Sequence, residues 1–368
     1  MARMILDRRT LNRALLERQL LLQRRPVPVL DAVAHLVGLQ AQAPTPPYFG
    51  LWSRLAGFDP AELGRLLVDR RVVRAPLMRA TIHLVAAGDC RPLRRLLQPI
   101  FDRALVSNPD RSPALAGIDQ PRLAAATGDL LAEQPRTSKA LGAQLAQRWP
   151  DRDPAALAHG AQQLVALVQV PPRGVWGAAG QPTWTTVDSW LETPPQPAPA
   201  LAAEELVRRY LAAFGPAAVA DAQHWSGLTG LGEVVERMDL RSYQDEPGRV
   251  LFDLPEATLP DPDTPAPVRF VAPFDNLVIG HADRTRVITD NHRRRVFTTN
   301  GIVKGTVLVD GFVAGCWRLD QRRSEATLTV EPFVPLSPVD RAAVESEGAG
   351  LLGFAAPPGA AHQLRFTA

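Results

Sequence analysis

The chain has 368 residues, of which 46% are hydrophobic and 21% are charged, as in ordinary globular proteins. This composition excludes a wholly disordered chain, and no run of about 18 uncharged apolar residues is present that could span a membrane. The length predicts two or three packed units. Two cysteines, Cys90 and Cys316, are too few for a secreted disulfide framework or a thiol-only zinc site. We therefore expect a reducing, cytoplasmic environment, with no metal and no other cofactor.

The net charge of +3 is distributed unevenly along the chain. Residues 1–103 hold 17 Arg against 8 acidic residues, and residues 281–323 hold 8 Arg and one Lys against 4 Asp. The remainder carries a net charge of −11, so two basic blocks are separated by an acidic middle. This pattern indicates either a surface that binds a polyanion or a solvated face, and charge alone does not decide between the two.

The first 110 residues have the order of elements that is typical of a winged-helix unit, in which compact helices end in a two-stranded ribbon. Apolar spacing, proline breaks and a cap at Thr10 predict helices over residues 11–23, 29–39, 48–55 and 60–69. Two β-like stretches follow, over residues 72–78 and 81–85.

The same order is predicted twice more, without any repeat of sequence. Residues 111–193 form the second predicted unit and residues 194–260 the third, and a proline-rich linker at residues 193–200 separates them. The predicted helices cover residues 123–133, 139–148, 154–167, 201–214, 216–225 and 231–238. The predicted hairpins pair residues 169–175 with 183–187 and residues 240–244 with 249–254.

Residues 261–368 form a fourth predicted region of different character. Apolar, β-branched runs over residues 302–309 and 312–317 flank an Asp310-Gly311 turn, and residues 327–330 add another strand. These runs predict an antiparallel sheet or small barrel, followed by a helix over residues 338–354 and a Gly/Pro/Ala-rich tail. The predicted fold class is therefore α+β, with three tandem winged helix-turn-helix units and a C-terminal antiparallel β-barrel-like region.

The pair Gln40 and Gln42 is the first candidate for chemistry. It is predicted at the end of the second helix, immediately before the rigid segment of residues 44–47 that contains three prolines. Two amides at positions i and i+2 can point at one spot, and each offers donors and an acceptor, enough to hold a water molecule or a base edge. The alternative is that Gln40 only satisfies free carbonyl groups at the helix end.

A run of three arginines, Arg293, Arg294 and Arg295, is the second candidate. Consecutive arginines on a strand cannot all face one side, which predicts a protruding loop or hairpin that contacts phosphates or enters a minor groove. An exposed turn without function is the alternative. The sequence contains no Gly-rich phosphate loop, no His-Glu-x-x-His pattern and no Gly-x-Ser-x-Gly elbow.

Several separated segments resemble the bacterial winged-helix DNA glycosylase family, which removes alkylated purines and unhooks interstrand crosslinks. The resemblance is to its azinomycin-resistance branch, the AlkZ type, and it extends over nearly the whole chain in the right order. The segments that carry it are residues 11–42 with Gln40-Ala41-Gln42, residues 79–85, 174–177, 183–190, 272–277 and 281–286.

The resemblance implies three tandem winged-helix units around a β-barrel-like C-terminal region. The catalytic signature of the family is Gln, an apolar residue and then Gln, which Gln40, Ala41 and Gln42 match. A basic hairpin of the family engages DNA, and charge and placement assign this role to Arg293, Arg294 and Arg295. The matching segment 281–286 adds further expected DNA contacts, namely His281, Arg284 and Arg286. The implied partner is double-stranded DNA that carries alkylated or crosslinked purines, bound by a monomer.

Two neutral amides can suffice because a purine alkylated at N7 already carries a positive charge, so its departure needs no protonation. The enzyme must then only position a water molecule and stabilise an oxocarbenium-like sugar, and oriented amide dipoles can do both. We therefore expect a monofunctional glycosylase that leaves an abasic site. We also expect no obligatory deep base pocket, because bulky crosslinked adducts could not pass through a narrow one.

Two other classes of function are compatible with the sequence. A winged-helix transcriptional regulator would bind an operator sequence and leave every base in place. A scaffold or drug-sequestering resistance protein would bind the free genotoxin tightly and yield no DNA product.

Overall fold

The computed structural model describes residues 3–192 and 200–367, so most of the predicted linker at 193–200 lies outside the described residues. The helices, in chain order, are α1 (Arg8–Arg18), α2 (Val29–His35), α3 (Pro46–Trp52), α4 (Pro60–Val68), α5 (Ala87–Leu96), α6 (Gln98–Ser107), α7 (Gln120–Glu133), α8 (Ser138–Ala146), α9 (Pro154–Leu164), α10 (Val187–Leu191), α11 (Ala203–Phe214), α12 (Val219–Ser226), α13 (Leu231–Glu236), α14 (Asn276–Ile279), α15 (Asp290–Val296) and α16 (Pro338–Ala355). The strands are β1 (Ile5–Leu6), β2 (Leu39–Gln40), β3 (Val72–Pro76), β4 (Ile82–Ala86), β5 (Arg136–Thr137), β6 (Leu167–Gln169), β7 (Thr183–Thr186), β8 (Arg241–Asp245), β9 (Val250–Asp253), β10 (Arg269–Val271), β11 (Gly305–Val309), β12 (Phe312–Gln321), β13 (Glu325–Pro332) and β14 (Ala361–Phe366). None of the described helices is both long and apolar enough to cross a membrane.

A six-stranded antiparallel sheet, in the order β2-β4-β3-β6-β7-β5, is the centre of the first half of the chain. The hairpin predicted over residues 72–85 forms as β3–β4. A second hairpin, β6–β7, also forms, but its first strand covers Leu167–Gln169 and not the predicted residues 169–175, because α9 already ends at Leu164. The two hairpins also join edge to edge, with Arg74 of β3 opposite Gln169 of β6. This pairing covers strand edges that would otherwise be open, and it brings residues of the second predicted unit beside those of the first.

A second sheet joins the beginning of the chain to the third predicted hairpin. β8 and β9 pair antiparallel as expected, and β1 adds to β8 in parallel, with Ile5 opposite Gln244. The side chains of Leu6, Tyr243 and Leu251 form a small buried cluster between these strands and α1. The N-terminal residues therefore pack against the third predicted unit as well as the first.

The C-terminal sheet is open, which corrects the prediction of an antiparallel barrel-like region. Its order is β10-β11-β12-β13-β14, and the last pair, β13 with β14, is parallel. The cause is α16, which carries the chain back along the sheet before β14 begins, as parallel connections require. Apolar side chains of α16, including Val344 and Leu351, bury Phe270 and Leu328 of the sheet. The tail that the sequence left without structure is therefore an edge strand.

Two helix boundaries near the N-terminus also differ from the prediction. α1 begins at Arg8 because the carboxylate of Asp7 accepts a hydrogen bond from the backbone N–H of Thr10, so Asp7, not Thr10, is the cap. α2 ends at His35, since Val37 and Gly38 adopt left-handed conformations with φ of 53° and 93°. Residues beyond α2 are therefore free to form β2.

A buried ion pair links the segment just after α3 to the segment before α14. Both Nη atoms of Arg54 donate to the carboxylate of Asp275 at 2.8 Å, and both side chains are almost fully inaccessible. Arg54 also donates to the carbonyl of Gly50 and to Oε1 of Gln19. A buried pair of this kind depends on both members, because removal of one leaves the other charge without compensation.

We predict that Asp275→Asn lowers the free energy of unfolding by about 3–5 kcal/mol, because the guanidinium of Arg54 then stays buried without a counter-charge. Urea unfolding followed by circular dichroism measures the change. The matched control is Glu345→Gln, which breaks the exposed pair with Arg341 and should cost less than about 1 kcal/mol. Equal losses in both variants would contradict the structural role given to the buried pair.

Candidate active site

Gln40 ends the short strand β2 and Gln42 lies two residues further on, in a bend, so neither lies at a helix end as the sequence predicted. Gln40 pairs with His83 across the β2–β4 ladder, and the N–H of Ala41 donates to the carbonyl of Ile82 at 2.7 Å. Alternate residues of an extended chain share a face. Ala41 is fully buried, whereas Gln40 is half-buried and Gln42 is exposed. Both amides therefore face the same side of the sheet.

Gly38 permits this pairing because no side chain separates it from β4. A Cβ atom at position 38 would lie 2.5 Å from Cγ1 of Val85 and 2.8 Å from the carbonyl oxygen of Leu84. The positive φ of 93° is also one that glycine adopts without strain. The turn from α2 into β2 thus fixes the register in which Gln40 meets His83.

The orientation of both amides follows from the chemistry of their neighbours. Nη2 of Arg79 donates to Oε1 of Gln40 at 2.8 Å, and the backbone N–H of Ile82 donates to Oε1 of Gln42 at 3.2 Å. Neither a guanidinium nor a backbone N–H can accept a hydrogen bond, so each partner must face an amide oxygen. One lone pair of each oxygen and both NH₂ groups are left for other partners.

Arg79 lies in a short 3₁₀ turn, Met78–Ala80, between β3 and β4, with a positive φ of 55°. Its guanidinium bridges Oε1 of Gln40 and the carbonyl oxygen of Trp225 in α12. Burial, and then the nearby charge of Arg284, lower the pKa of Arg79 to about 10. Arg79 therefore remains a cation at neutral pH and ties the site to the third predicted unit.

Three arginines meet at the C-terminal end of α12, and we call Arg79, Arg103 and Arg284 the basic cluster. Arg103 donates to the carbonyl of Gly227 at 2.6 Å, and Nη2 of Arg284 lies 3.0 Å from Nε2 of His224. Cations are favoured at a helix C-terminus, where carbonyl groups lack intrahelical donors. Arg79 is the member of the basic cluster that contacts Gln40.

Arg293, Arg294 and Arg295 lie in the helix α15, which corrects the prediction of a basic hairpin. Thr289 caps this helix by accepting from the N–H of His292 at 3.3 Å, which favours a helix over a loop. Arg295 pairs with Glu331 at 2.8 Å, and Arg293 lies 3.7 Å from Asp290, whereas Arg294 is exposed. Arg293 contributes to a lowered pKa of Arg284, after burial, so α15 lies close to the basic cluster.

His281 and Arg286 are buried, which corrects their prediction as DNA contacts. Their exposed fractions are 1% and 2%, and they bond to the carbonyl oxygens of Phe214 at 3.1 Å and Pro216 at 2.7 Å. The carboxylate of Asp221 compensates the charge of Arg286, and burial lowers the pKa of His281 to about 3. Both side chains hold α11 and α12 against the C-terminal region and cannot reach a duplex in this conformation.

A cleft of about 350 Å³ opens beside Gln42, and we call it the amide cleft. Its lining residues are Gln42, Pro76, Ala80, Ile82, Phe101, Ser138, Gln162, Gln163, Gln169, Arg173, Pro182 and Trp184. None of these described lining residues carries a carboxyl group. Sequence reasoning missed Gln162, Gln163 and Gln169, because they come near Gln42 only in the folded chain, where β3 pairs with β6.

His83 lies on β4 directly opposite Gln40 and is held in its neutral form. Its Nδ1–H donates to the carbonyl of Thr81 at 2.9 Å, while Nε2 has no hydrogen-bond partner. Burial, and then the charge of Arg79, lower the pKa of His83 to about 3. His83 therefore holds no proton that it could supply to a leaving group at neutral pH. Within residues 3–192 and 200–367, no group of three or more His, Cys, Asp and Glu residues could hold a metal ion.

Comparison with known proteins gives a consistent assignment. The family model "DNA glycosylase AlkZ-like" matches residues 33–354, which include the Gln-Ala-Gln segment, the basic cluster and the amide cleft. The "interstrand DNA cross-link repair glycosylase" of Streptomyces sahachiroi is 25% identical over 366 residues, covering 91% of this chain and 92% of the relative. The solved structure of the Streptomyces sahachiroi DNA glycosylase AlkZ has a TM-score of 0.79 at 23% identity, covering 99% of this chain and 100% of that one. The similarity to this solved structure establishes the mixed α/β fold of the chain.

We predict that His83→Gln makes the protein less sensitive to acid. The pKa of His83 is about 3 in the folded state and near its ordinary value of 6.5 when unfolded, so unfolding takes up a proton between these pH values. The stability of the wild type should therefore fall as the pH drops below about 6.5, by up to about 1.4 kcal/mol per pH unit more than in the variant. Urea unfolding at pH 6.5, 5.5 and 4.5 measures both slopes. Identical slopes would contradict a buried neutral imidazole.

Proposed function

This chain belongs to the AlkZ-like DNA glycosylase family, and from that premise we propose that it hydrolyses the N-glycosidic bond of N7-alkylated purines in duplex DNA and unhooks interstrand crosslinks. The observation that carries the proposal is the pair of amides, Gln40 and Gln42, held on one face between the basic cluster and a cleft lined without carboxylates. Similarity to a relative named for interstrand crosslink repair supports crosslinked DNA as the substrate.

No described residue that lines the amide cleft is an acid, and a leaving base that is already cationic needs none. Ordinary glycosidases pair a protonated carboxyl group with a second carboxylate, because their leaving group must be protonated. The described residues that line the amide cleft include no carboxyl group, and His83 is neutral at physiological pH. An N7-alkylated purine leaves as a neutral base without a proton, so this site needs no general acid.

In the proposed reaction, Gln40 and Gln42 hold the attacking water beside C1′ of the deoxyribose. The second lone pair of each amide oxygen accepts a hydrogen bond from the water, while Arg79 and the N–H of Ile82 keep the oxygens in place. The C1′–N9 bond breaks and its electron pair leaves with the neutral base, the water oxygen bonds to C1′, and the proton that the water loses passes to bulk solvent. The same amide oxygens present the negative ends of their dipoles to the oxocarbenium-like sugar. Positioned groups of this type contribute about 10²–10³ in rate, or about 3–4 kcal/mol, which suits a bond already weakened by alkylation.

Duplex DNA would approach across the basic cluster and α15. Arg103 and Arg294 are exposed, and Arg284 and Arg293 lie close together on the same side as Arg79. Guanidinium groups at such positions contact phosphates, which positions the duplex without reading its sequence. Sequence-independent binding is what a repair enzyme requires, whereas a transcriptional regulator would discriminate an operator and leave its bases intact.

We predict that Gln40→Ala and Gln42→Ala each lower the single-turnover rate of excision at least about tenfold, because each removes one of the two groups that hold the water. A duplex with one N7-methylguanine is incubated with excess enzyme, and abasic sites are then cleaved with alkali. Gln147→Ala, at the exposed far end of α8, is the matched control and should retain the wild-type rate. Unchanged rates in both active-site variants would remove the amides from the mechanism.

We predict that the enzyme is monofunctional and leaves an abasic site without forming a Schiff base. A Schiff base requires an amine, and the chain has only two lysines, Lys139 and Lys304, neither of which lines the amide cleft. Borohydride treatment during turnover should therefore trap no protein–DNA adduct, with a Schiff-base-forming lyase as the positive control. A trapped adduct of the wild-type enzyme that Lys139→Ala abolishes would contradict this assignment.

A further inference from the structure

The amide cleft begins at Gln42 and continues into a polar chamber whose other lining residues have no part in the proposed water-holding reaction. Gln42 and Pro182 are exposed at its mouth, whereas Phe101, Gln169 and Trp184 are buried to more than nine-tenths in its wall. The chamber therefore extends from the catalytic pair into the junction between the two fused hairpins. A volume of about 350 Å³ lies within the range of small-ligand sites.

Two amides of the cleft are incompletely paired. Oε1 of Gln163 and Oε1 of Gln169 are buried without a hydrogen-bond partner, and so is Nε of Arg173. An unsatisfied buried polar atom is destabilising, and natural interiors contain few of them. The terminal torsion of a glutamine is soft and roughly two-fold, so each amide can turn either its oxygen or its NH₂ group toward the chamber. The wall can therefore adapt to a ligand that brings both donors and acceptors.

A hydroxyl group adds a further polar contact to the same wall. Oγ of Ser138 accepts hydrogen bonds from Nε2 of Gln162 at 2.8 Å and from Nε1 of Trp184 at 3.1 Å. Since both lone pairs are occupied, the hydroxyl proton is available for an acceptor on a ligand. The indole of Trp184 is thereby held in place as part of the wall.

This set of groups matches the edge of a nucleobase better than it matches other ligands. A phosphate or carboxylate would need more than the single cation Arg173, and a cationic ligand would need a carboxylate, which the described lining residues do not provide. A purine edge presents N–H donors beside ring or carbonyl acceptors in one plane, as amide side chains do. Aromatic and amide contacts of this kind recognise bases that leave the helical stack.

We propose that the amide cleft binds the purine base that the enzyme releases, through the amides of Gln163 and Gln169 and the hydroxyl of Ser138. This inference rests on the proposed glycosylase function and adds a product-side subsite to it. Because the mouth at Gln42 and Pro182 is open, the cleft holds the base of a small monoadduct, while the remainder of a bulky crosslink stays outside. A deep enclosing pocket is not required.

Isothermal titration calorimetry with free 7-methylguanine tests the proposal on the full-length protein. The wild type should bind one equivalent, and Gln169→Leu and Gln163→Leu should each weaken binding at least about tenfold, because each removes a hydrogen-bonding amide at nearly constant volume. Gln147→Leu, on the exposed end of α8, is the matched control and should bind as the wild type does. If Gln169→Leu fails to fold, as judged by circular dichroism, the half-buried Gln163 carries the test.

Titration and excision measured on the same protein distinguish the base-binding subsite from the glycosylase activity. No binding of 7-methylguanine by a wild type that excises N7-methylguanine, or equal binding by the wild type and both leucine variants, would overturn the subsite and leave the glycosylase intact. Binding that depends on Gln163 and Gln169 in a protein without excision activity would instead overturn the proposed function and leave the subsite standing.

Discussion

The antiparallel pairing of β2 with β4 is the constraint on which the rest of the site depends. It places Gln40 opposite His83 and turns Gln40 and Gln42 to one face, with Ala41 buried between them. A slip of one residue would reverse the faces and bury both amides, because side chains alternate along an extended chain. Gly38 fixes the register, since any side chain at that position would collide with β4.

Arg74 holds the same segment in place through its backbone. It connects the first predicted unit, which contains Ala41, with the second, which contains Gln169. Its Nη2 donates to the carbonyl of Ala41 at 2.7 Å, and its backbone lies opposite Gln169 where β3 meets β6. Burial lowers the pKa of Arg74 to about 10, which leaves it charged at neutral pH. A Cβ atom on Gly174 would lie 2.7 Å from Cδ of Arg74, so the loop after β6 closes tightly over this side chain. The Gln40–Gln42 segment and the amide cleft thus share one structural support.

The sequence predicted those parts of the fold that depend on neighbours along the chain. The hairpins β3–β4, β6–β7 and β8–β9 follow from local alternation and turns, and all three are present. The joining of β3 to β6 could not be predicted, because it pairs residues 74 and 169 and leaves no periodic signal. The parallel addition of β14 was missed for a related reason: a Gly/Pro/Ala-rich tail has no strand pattern, and its pairing depends on the course of α16.

The sequence predicts Gln40 and Gln42 as candidate site residues, but it does not predict the side chains that surround them. Gln40 and Gln42 were identified from their spacing and from the family signature, but their place after α2 was misjudged because the left-handed Val37 and Gly38 end the helix early. Arg79 was not assigned a role, since it contacts Gln40 across 39 positions of sequence. His281 and Arg286 are expected as DNA contacts because the segment 281–286 matches the family, whereas the structure buries both beside the carboxylate of Asp221.

In the proposed mechanism, Arg79 acts through Gln40 by holding its amide oxygen. A double-mutant cycle tests this role of Arg79 most directly. Single-turnover excision of N7-methylguanine is measured at saturating enzyme for the wild type, Gln40→Ala, Arg79→Met and the double variant. We predict that Arg79→Met lowers the rate about tenfold and that the double variant is no slower than the slower single variant, because both changes remove the same interaction. Multiplicative losses, about a hundredfold or more in the double variant, would show that the two residues act independently and would contradict the account.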